Sequence, residues 1–277
     1  MKITFLGGGN MAHALIGGLR KQGYSAAAIQ VVEPLADHRD KLTDTFGVRC
    51  CPAVDVAALH CDALVLAVKP QQMREALAPL APLAGTFRAQ LQQQLIVSIA
   101  AGLCLADISR WLGGYHQLVR CMPNTPALIG AGVTGLYADP AVDREGRGRA
   151  ERILQAAGST LWLTDEAQMD AVTAISGSGP AYVFLFIEAL QQAAGALGLE
   201  AAAARQLAIE TFVGASRLAA QSPEEVAVLR QRVTSKGGTT EAALDSLNAD
   251  GITAAILRAA QAAAARGQAL GEALGRD

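Results

Sequence analysis

The strand-like runs of this chain end abruptly near Thr164. Before that point the short β-branched stretches "KITFL", "QVVE", "ALVLAV" (63–68), "LIVSIA" (95–100), "QLVRCM" (117–122), "VTGLYA" (133–138) and "TLWLT" (160–164) alternate with helical patterns. Such alternation is how a parallel sheet covered by helices appears in a sequence. After it the chain is rich in Ala and Leu at helical spacing, through "DEAQMDAVTAI", "PAYVFLFIEALQQAAGALG", "EAAAARQLAIETFVGASRLAAQ", "PEEVAVLRQRV", "TEAALDSLNA" and a last helix from near Gly251. The expected organisation is an α/β domain over residues 1–164 followed by an all-helical domain over residues 165–277.

A length of 277 residues agrees with two domains. Hydrophobic residues make up 51% and charged residues 17%, with a net charge of −2, so there is ample material to bury. No basic run interleaved with aromatics appears, which argues against a nucleic-acid partner. A membrane anchor is not expected either. The apolar opening breaks at Gly7-Gly8-Gly9-Asn10, and the uncharged run Ala171 to Ile187 is interrupted by "SGSGP" and falls short of the roughly 20 residues a span needs. Cys50, Cys51, Cys61, Cys104 and Cys121 lack paired metal or redox spacing and read as small apolar side chains in a reducing cytoplasm. His13, His38, His60 and His116 are scattered, without metal-ligand spacing, so no metal is expected.

In "YVFLFIEAL" (182–190) the only charge is Glu188. A helix apolar nearly all round must be buried, either in a homo-oligomer built through the helical half or as the central core helix of a monomer.

The first chemical signal is Gly7-x-Gly9-x-x-Ala12, directly after "ITFL" and opening a helix from about Asn10. Gly7 suits a tight turn, Gly9 lets a pyrophosphate approach the backbone, and Ala12 allows close packing of helix on strand. The helix N-terminus then offers free N–H groups to the phosphates. With the acidic Glu33 about 20 positions on, this reads as a Rossmann-type doubly wound sheet binding NADPH or NADH. Glu33 leans toward NADH, because a carboxylate about 4 Å from a 2′-phosphate costs on the order of 1 kcal/mol in water and 4 at intermediate dielectric. Arg39, beside His38, could instead pair with that phosphate, so both cofactors stay open. "AVKP" places Ala67, Val68, Lys69 and Pro70 at the carboxyl edge of the sheet, with Lys69 in reach of phosphate or ribose. "MPNTP" brackets Asn124 and Thr125 with prolines in a stiff loop suited to a nicotinamide amide, or to a simple turn.

A second signal is "VTSKGGTT" (233–240), which opens another helix. Free N–H groups, two adjacent glycines and the hydroxyls of Ser235, Thr239 and Thr240 suit a small carboxylate. The helix dipole supplies only about 0.3 to 1 kcal/mol, but each hydrogen bond to a charged group adds about 1.5 to 3. Ordinary capping by one threonine would not account for the glycines. The helical half contains no histidine, and only Lys236 as an amine, so a substrate that brings its own activation is expected. A protonated C=N accepts hydride without an enzymic acid.

At these residues the chain resembles the pyrroline-5-carboxylate reductase family. The matching segments are "FLGGGNM", "AVKP", "SIAAG" (98–102), "MPNT", "DAVTAISGSGPAYVF" (170–184) and "VTSKGGTTEAAL" (233–244), in the family's order along nearly the whole chain. The resemblance implies reduction of 1-pyrroline-5-carboxylate, a cyclic imine carboxylate, to L-proline, with an all-α dimerisation domain in the second half. It implies cofactor contacts from Leu6, Gly7, Gly8, Gly9, Asn10 and Met11, and from the "AVKP" and "MPNT" loops. It further implies that Ser235, Gly238, Thr239 and Thr240 bind the carboxylate, with the Thr240 hydroxyl catalytic near the imine nitrogen. Lys236 stands where many members carry proline, at a cost in loop rigidity. A related imine or 3-hydroxy acid reductase, and a non-catalytic cofactor-binding regulator, are the competing readings.

Overall fold

The computed structural model describes residues 1–80 and 94–276. Its sheet comprises β1 (Ile3–Leu6), β2 (Ile29–Val32), β3 (Arg49–Cys51), β4 (Ala63–Leu66), β5 (Leu95–Ser98), β6 (Leu118–Met122), β7 (Gly132–Ala138) and β8 (Gly158–Trp162), in the order β3-β2-β1-β4-β5-β6-β7-β8. The strands from β3 across to β6 pair in parallel, as a doubly wound sheet requires.

Two features depart from the sequence expectation. The short β3, "RCC", has no β-branched residue and gave no strand signal. β7 runs antiparallel to β6, pairing Met122 with Gly135 and Val119 with Ala138, and β8 then runs parallel to β7. The connection from Met122 to Gly132 holds only a 3₁₀ turn over Thr125–Ile129. That is too short for the crossover a parallel pair needs, so the chain turns back on itself.

Alternation along the central strands divides the core. Ile3, Phe5, Val31, Val65 and Val97 face one layer, with α1 (Asn10–Lys21) and α5 (Arg144–Gln155) over it. Leu6, Val32, Leu64, Leu66 and Ile96 face the other, packed with α3 (Met73–Leu77) and α4 (Leu105–Trp111). Burial on both faces is why these strands are almost continuously apolar. Helix α2 (Ala36–Phe46) follows β2 and ends at Gly47, whose φ of 68° is the left-handed conformation of a helix C-cap.

After β8 come α6 (Gln168–Val172), a π-helical turn (Thr173–Gly177), α7 (Gly179–Ala196), α8 (Ala201–Gln221), α9 (Val226–Arg232), α10 (Thr239–Ala249) and α11 (Ile252–Gly275). "SGSGP" breaks the helix where the sequence suggests: Ser178 is a bend between the π-helical turn ending at Gly177 and α7 beginning at Gly179. Ser178 N–H donates to the Thr173 carbonyl at 2.8 Å, five residues back, which accommodates one extra residue before Pro180. The helical run Gln168–Ala196 is 29 residues long and passes the length and composition test for a membrane span.

Compactness divides the chain into one unit of Met1–Ser178 with Ala263–Asp277 and another of Gly179–Ala262. Within the second unit α7 and α8 pack on each other, yet its buried apolar residues are two alanines, Ala204 and Ala208. Phe184 and Leu185 are 64% and 63% exposed.

Candidate functional site

Register sets the first group of expected residues side by side. Leu6, at the end of β1, pairs with Val32 on one flank and Leu66 on the other, so Gly7, Glu33 and Ala67 leave the sheet at the same edge. Gly7 N–H donates to the Val32 carbonyl and Ala67 N–H to the Leu6 carbonyl, each at 2.8 Å. With φ at 102° and a hypothetical Cβ 2.8 Å from the Ala67 carbonyl oxygen, Gly7 has both the dihedral and the space that demand glycine. Gly9 caps α1 in extended conformation and no atom lies within 4 Å of its Cβ position. The first intrahelical bond of α1 is His13 N–H to the Gly9 carbonyl, so the N–H groups of Asn10, Met11 and Ala12 lack an intrahelical acceptor. An open backbone beside free donors at a helix N-terminus is a cradle that fits a pyrophosphate.

Glu33 is 7% exposed. Its Oε2 accepts from Gly8 N–H at 2.8 Å and its Oε1 from Leu35 N–H at 3.0 Å, with His38 Nδ1 3.9 Å from Oε1. Arg39 Nη1 donates to the Glu33 carbonyl at 2.9 Å and the Pro34 carbonyl at 2.7 Å. The acid is thus folded against the glycine loop, and the arginine is tethered to the turn after β2.

Val68 is half-buried and Lys69 exposed, with Lys69 capping a 3₁₀ turn that begins at Pro70. The Asn124 side chain is engaged by the chain itself. Its Oδ1 accepts from Val133 N–H at 2.9 Å and its Nδ2 donates to the Ser176 carbonyl at 3.2 Å. An amide so placed holds the loop to β7 and to the π turn. Ser176 was not signalled by the sequence; its Oγ is buried and has no partner among the described residues. A buried hydroxyl left unpaired is uncommon, and it marks the π turn as a place where a group from outside can complete the bonding.

The second group lies in the Gly179–Ala262 unit. Helix α10 begins at Thr239 with Gly238 as its N-cap and no side-chain cap, so simple capping by a threonine is not what the loop does. Gly237 has φ at 71° and its N–H donates to Glu241 Oε2 at 2.6 Å, while Gly238 N–H donates to the Ser235 carbonyl at 3.0 Å. The first bond of the helix is Ala242 N–H to the Gly238 carbonyl, which leaves the N–H groups of Thr239, Thr240 and Glu241 without an intrahelical acceptor. Ser235, Lys236 and Thr239 are exposed and Thr240 half-exposed. These donors and hydroxyls can receive a small carboxylate.

None of the expected residues lines the cleft of about 720 Å³ bordered by Gly102, Asp107, Arg120, Glu166, Asp170 and Glu272. There the buried Arg120 donates to Glu166 Oε1 at 3.0 Å and lies 3.8 Å from Asp170, while Leu105 N–H also bonds Glu166. Charges of both signs are paired, and the cluster ties β6 to α4 and α6. Among the described residues no group of His, Cys, Asp or Glu is arranged to hold a metal.

Comparison with known proteins bears on both halves. Residues 2–102 match the family described as NADP oxidoreductase, coenzyme F420-dependent, and residues 166–270 match pyrroline-5-carboxylate reductase dimerisation. A pyrroline-5-carboxylate reductase of Pseudomonas aeruginosa is 46% identical over 275 residues, 99% of this chain and 98% of the relative. That of Haemophilus influenzae is 40% identical, covering 96% of each chain. The solved structure of a pyrroline-5-carboxylate reductase from Coxiella burnetii superposes with a TM-score of 0.90 at 38% identity, covering 100% of this chain and 99% of the other. The Plasmodium falciparum pyrroline carboxylate reductase with NADP bound does so at 0.85 and 29% identity, covering 98% of each.

Proposed function

Because the chain belongs to the pyrroline-5-carboxylate reductase family, we infer that it reduces 1-pyrroline-5-carboxylate to L-proline with NADPH or NADH. The observation that carries this is similarity at 46% identity across 99% of the chain, taking in the glycine loop and the helix mouth together. The reduced nicotinamide supplies a hydride to the imine carbon, and the C=N electron pair passes to a nitrogen that already carries its proton.

The chain's own residues then bind and orient. Residues 1–164 form the cofactor domain, in which the backbone of Leu6 to Met11 receives the pyrophosphate, Glu33 sits beside the adenosine ribose, and Ala67 to Pro70 and the Asn124 loop flank the rest of the cofactor. Residues 165–277 dimerise and bind substrate: Ser235, Gly238, Thr239 and the α10 N–H groups take the carboxylate, and the Thr240 hydroxyl hydrogen-bonds the imine nitrogen. Rate enhancement comes from holding the imine carbon at the hydride and from charge placement, not from an acid/base pair.

The protein acts as a homodimer or larger homo-oligomer, in which a second copy covers the apolar faces of α7 and α8. The match of residues 166–270 to a dimerisation family supports this over insertion of Gln168–Ala196 into a membrane. All five cysteines are free thiols, which supports a reducing cytoplasm as the place of action.

The test is to mix purified protein with 1-pyrroline-5-carboxylate and follow loss of reduced nicotinamide absorbance, with proline measured in the same samples. Loss matched by proline is the expected result. Cofactor binding without turnover on this substrate would move the activity to another imine or acid.

A further inference from the structure

We propose that Gly271, near the end of α11, is a positioning residue for hydride transfer: its backbone holds residues 99–102 at the cofactor edge of the sheet, beside the nicotinamide half of the cofactor. This rests on the functional reading above. It gives a task to two stretches which that reading leaves idle, "SIAAG" (98–102) and the last turns of α11.

Register brings residues 99–102 to the site. Leu66 at the end of β4 pairs with Ser98 at the end of β5, and Ile99 N–H donates to the Leu66 carbonyl at 3.1 Å. The segment therefore leaves the sheet at the edge where Gly7 and Ala67 also leave it. A dinucleotide with its pyrophosphate on the β1 loop and its adenosine ribose toward β2 extends its other half toward β4 and β5. Within the segment, Ala100 N–H reaches Ser98 Oγ at 3.4 Å, at the limit of a hydrogen bond, and Gly102 turns the chain with φ at 83°.

What braces it is α11. Residues from Ala263 onward belong to the same compact unit as the sheet, and Gly271 and Gly275 are buried there. A Cβ on Gly271 would overlap the Gly102 carbonyl oxygen, and one on Gly102 would lie 3.3 Å from the Gly271 nitrogen, so the two backbones meet directly. One turn on, Arg110 Nη2 donates to the Gly275 carbonyl and lies 3.1 Å from Asp107. That ties the end of α11 to α4, the helix into which the segment leads. Leu274 packs on the apolar layer that contains Ala100, Leu103 and Leu105. Gly267, one turn earlier, differs: a Cβ there would stand 3.9 Å from Asp170 Oδ1 and Thr173 Cγ2, an ordinary contact. Backbone against backbone has no rotamer with which to yield, so a shift of α11 at Gly271 passes to residues 99–102. Misplacing groups around a reacting pair by about 1 Å can cost on the order of a hundredfold in rate.

The test reads geometry and chemistry separately in full-length Gly271→Ala, Arg110→Met and Gly267→Ala. Amide hydrogen exchange over residues 98–104 is expected to quicken about tenfold or more in Gly271→Ala, less in Arg110→Met, and not at all in Gly267→Ala. Turnover of 1-pyrroline-5-carboxylate, well below each unfolding midpoint, should fall about ten- to a hundredfold in Gly271→Ala and a few-fold in Arg110→Met. The dissociation constants of NADPH and NADH should stay within about threefold of wild type. With cofactor deuterated at the transferred hydrogen, the isotope effect should rise as turnover falls, because hydride transfer becomes the slow step. A mere loss of folded protein would leave that isotope effect unchanged. Arg110→Lys, which keeps a donor for the Gly275 carbonyl, should recover part of the turnover. Wild-type exchange in both Gly271→Ala and Arg110→Met would overturn the proposal, as would faster exchange with full turnover or lost turnover with an unchanged isotope effect. If Gly271→Ala does not fold, Arg110→Met decides by the same readouts. A wild type that binds cofactor and turns over no imine would remove the functional reading; exchange over residues 98–104 would then decide by itself whether α11 holds the segment.

Discussion

Asn124 Oδ1 accepts a hydrogen bond from the backbone N–H of Val133 at 2.9 Å, while the same amide donates to the Ser176 carbonyl at 3.2 Å. One side chain therefore joins the loop after β6 to β7 and to the π turn before α7. Asn124→Ala leaves two backbone groups unpaired, at about 1 to 3 kcal/mol for each that stays buried. The unfolding midpoint in urea should fall accordingly, and turnover should fall with it because the loop loses its anchor. Asn124→Asp keeps the acceptor for Val133 N–H but turns a buried carboxylate oxygen toward the Ser176 carbonyl, so its unfolding midpoint should lie no higher than that of Asn124→Ala.

Packing of α1 on its neighbours is decided by backbone contact. A Cβ on Gly18 would overlap the carbonyl oxygen of Ala156, whereas one on Gly17 would meet only the ring edge of Phe46, at 3.3 Å. Gly18→Ala must push α1 away from the end of α5, since a carbonyl cannot rotate away as a side chain can. A loss of about 3 kcal/mol or more is expected. Gly17→Ala, which gains helix propensity, should change stability by less than about 1 kcal/mol. Thermal unfolding of the two variants makes the comparison, and equal effects would contradict the contact.

The helix mouth divides between chemistry and binding. Thr240→Val removes a hydroxyl of nearly the same shape and should lower turnover about tenfold or more while NADPH affinity is unchanged, because hydrogen bonds to a charged group are worth about 1.5 to 3 kcal/mol. Glu241 acts on the loop through Gly237, its Oε2 accepting that N–H at 2.6 Å. Glu241→Gln can preserve this bond and removes a negative charge beside the proposed carboxylate site, so KM for the imine should hold or fall. Glu241→Ala loses the bond and should raise KM a few-fold. Steady-state kinetics separate the three variants.

Phe184 and Leu185 stand 64% and 63% exposed in the single chain. If a second copy covers them, Leu185→Lys places an unpaired charge in an apolar interface, at a cost of several kcal/mol. Light scattering after size-exclusion chromatography should then give a smaller assembly or aggregated material. An unchanged mass with full activity would show that this face lies outside the interface.

Much of the fold could be read from local pattern. The β-branched runs marked the strands because a residue buried on both faces of a sheet must be apolar at every position, and the glycine loop marked the cofactor edge because Gly7 has φ at 102° against the Ala67 backbone. The antiparallel turn at β7 was not legible, since apolar strands look alike in either direction. Nor was the π turn at Thr173–Gly177, since a Gly-Ser sequence marks a break without fixing the hydrogen-bond pattern that leads into it.

Sequence by itself determined the order of elements apart from β3, the family and the residue types offered at each loop, because these follow from local spacing and side-chain chemistry. Tertiary structure decided how those residues are used. Glu33 faces Gly8, Asn124 bonds Val133 and Ser176, and Arg39 is held at the carbonyls of Glu33 and Pro34. Each outcome depends on which backbone donors and acceptors arrive from distant strands, and a hydrogen-bonding side chain has only a fixed number of bonds to give.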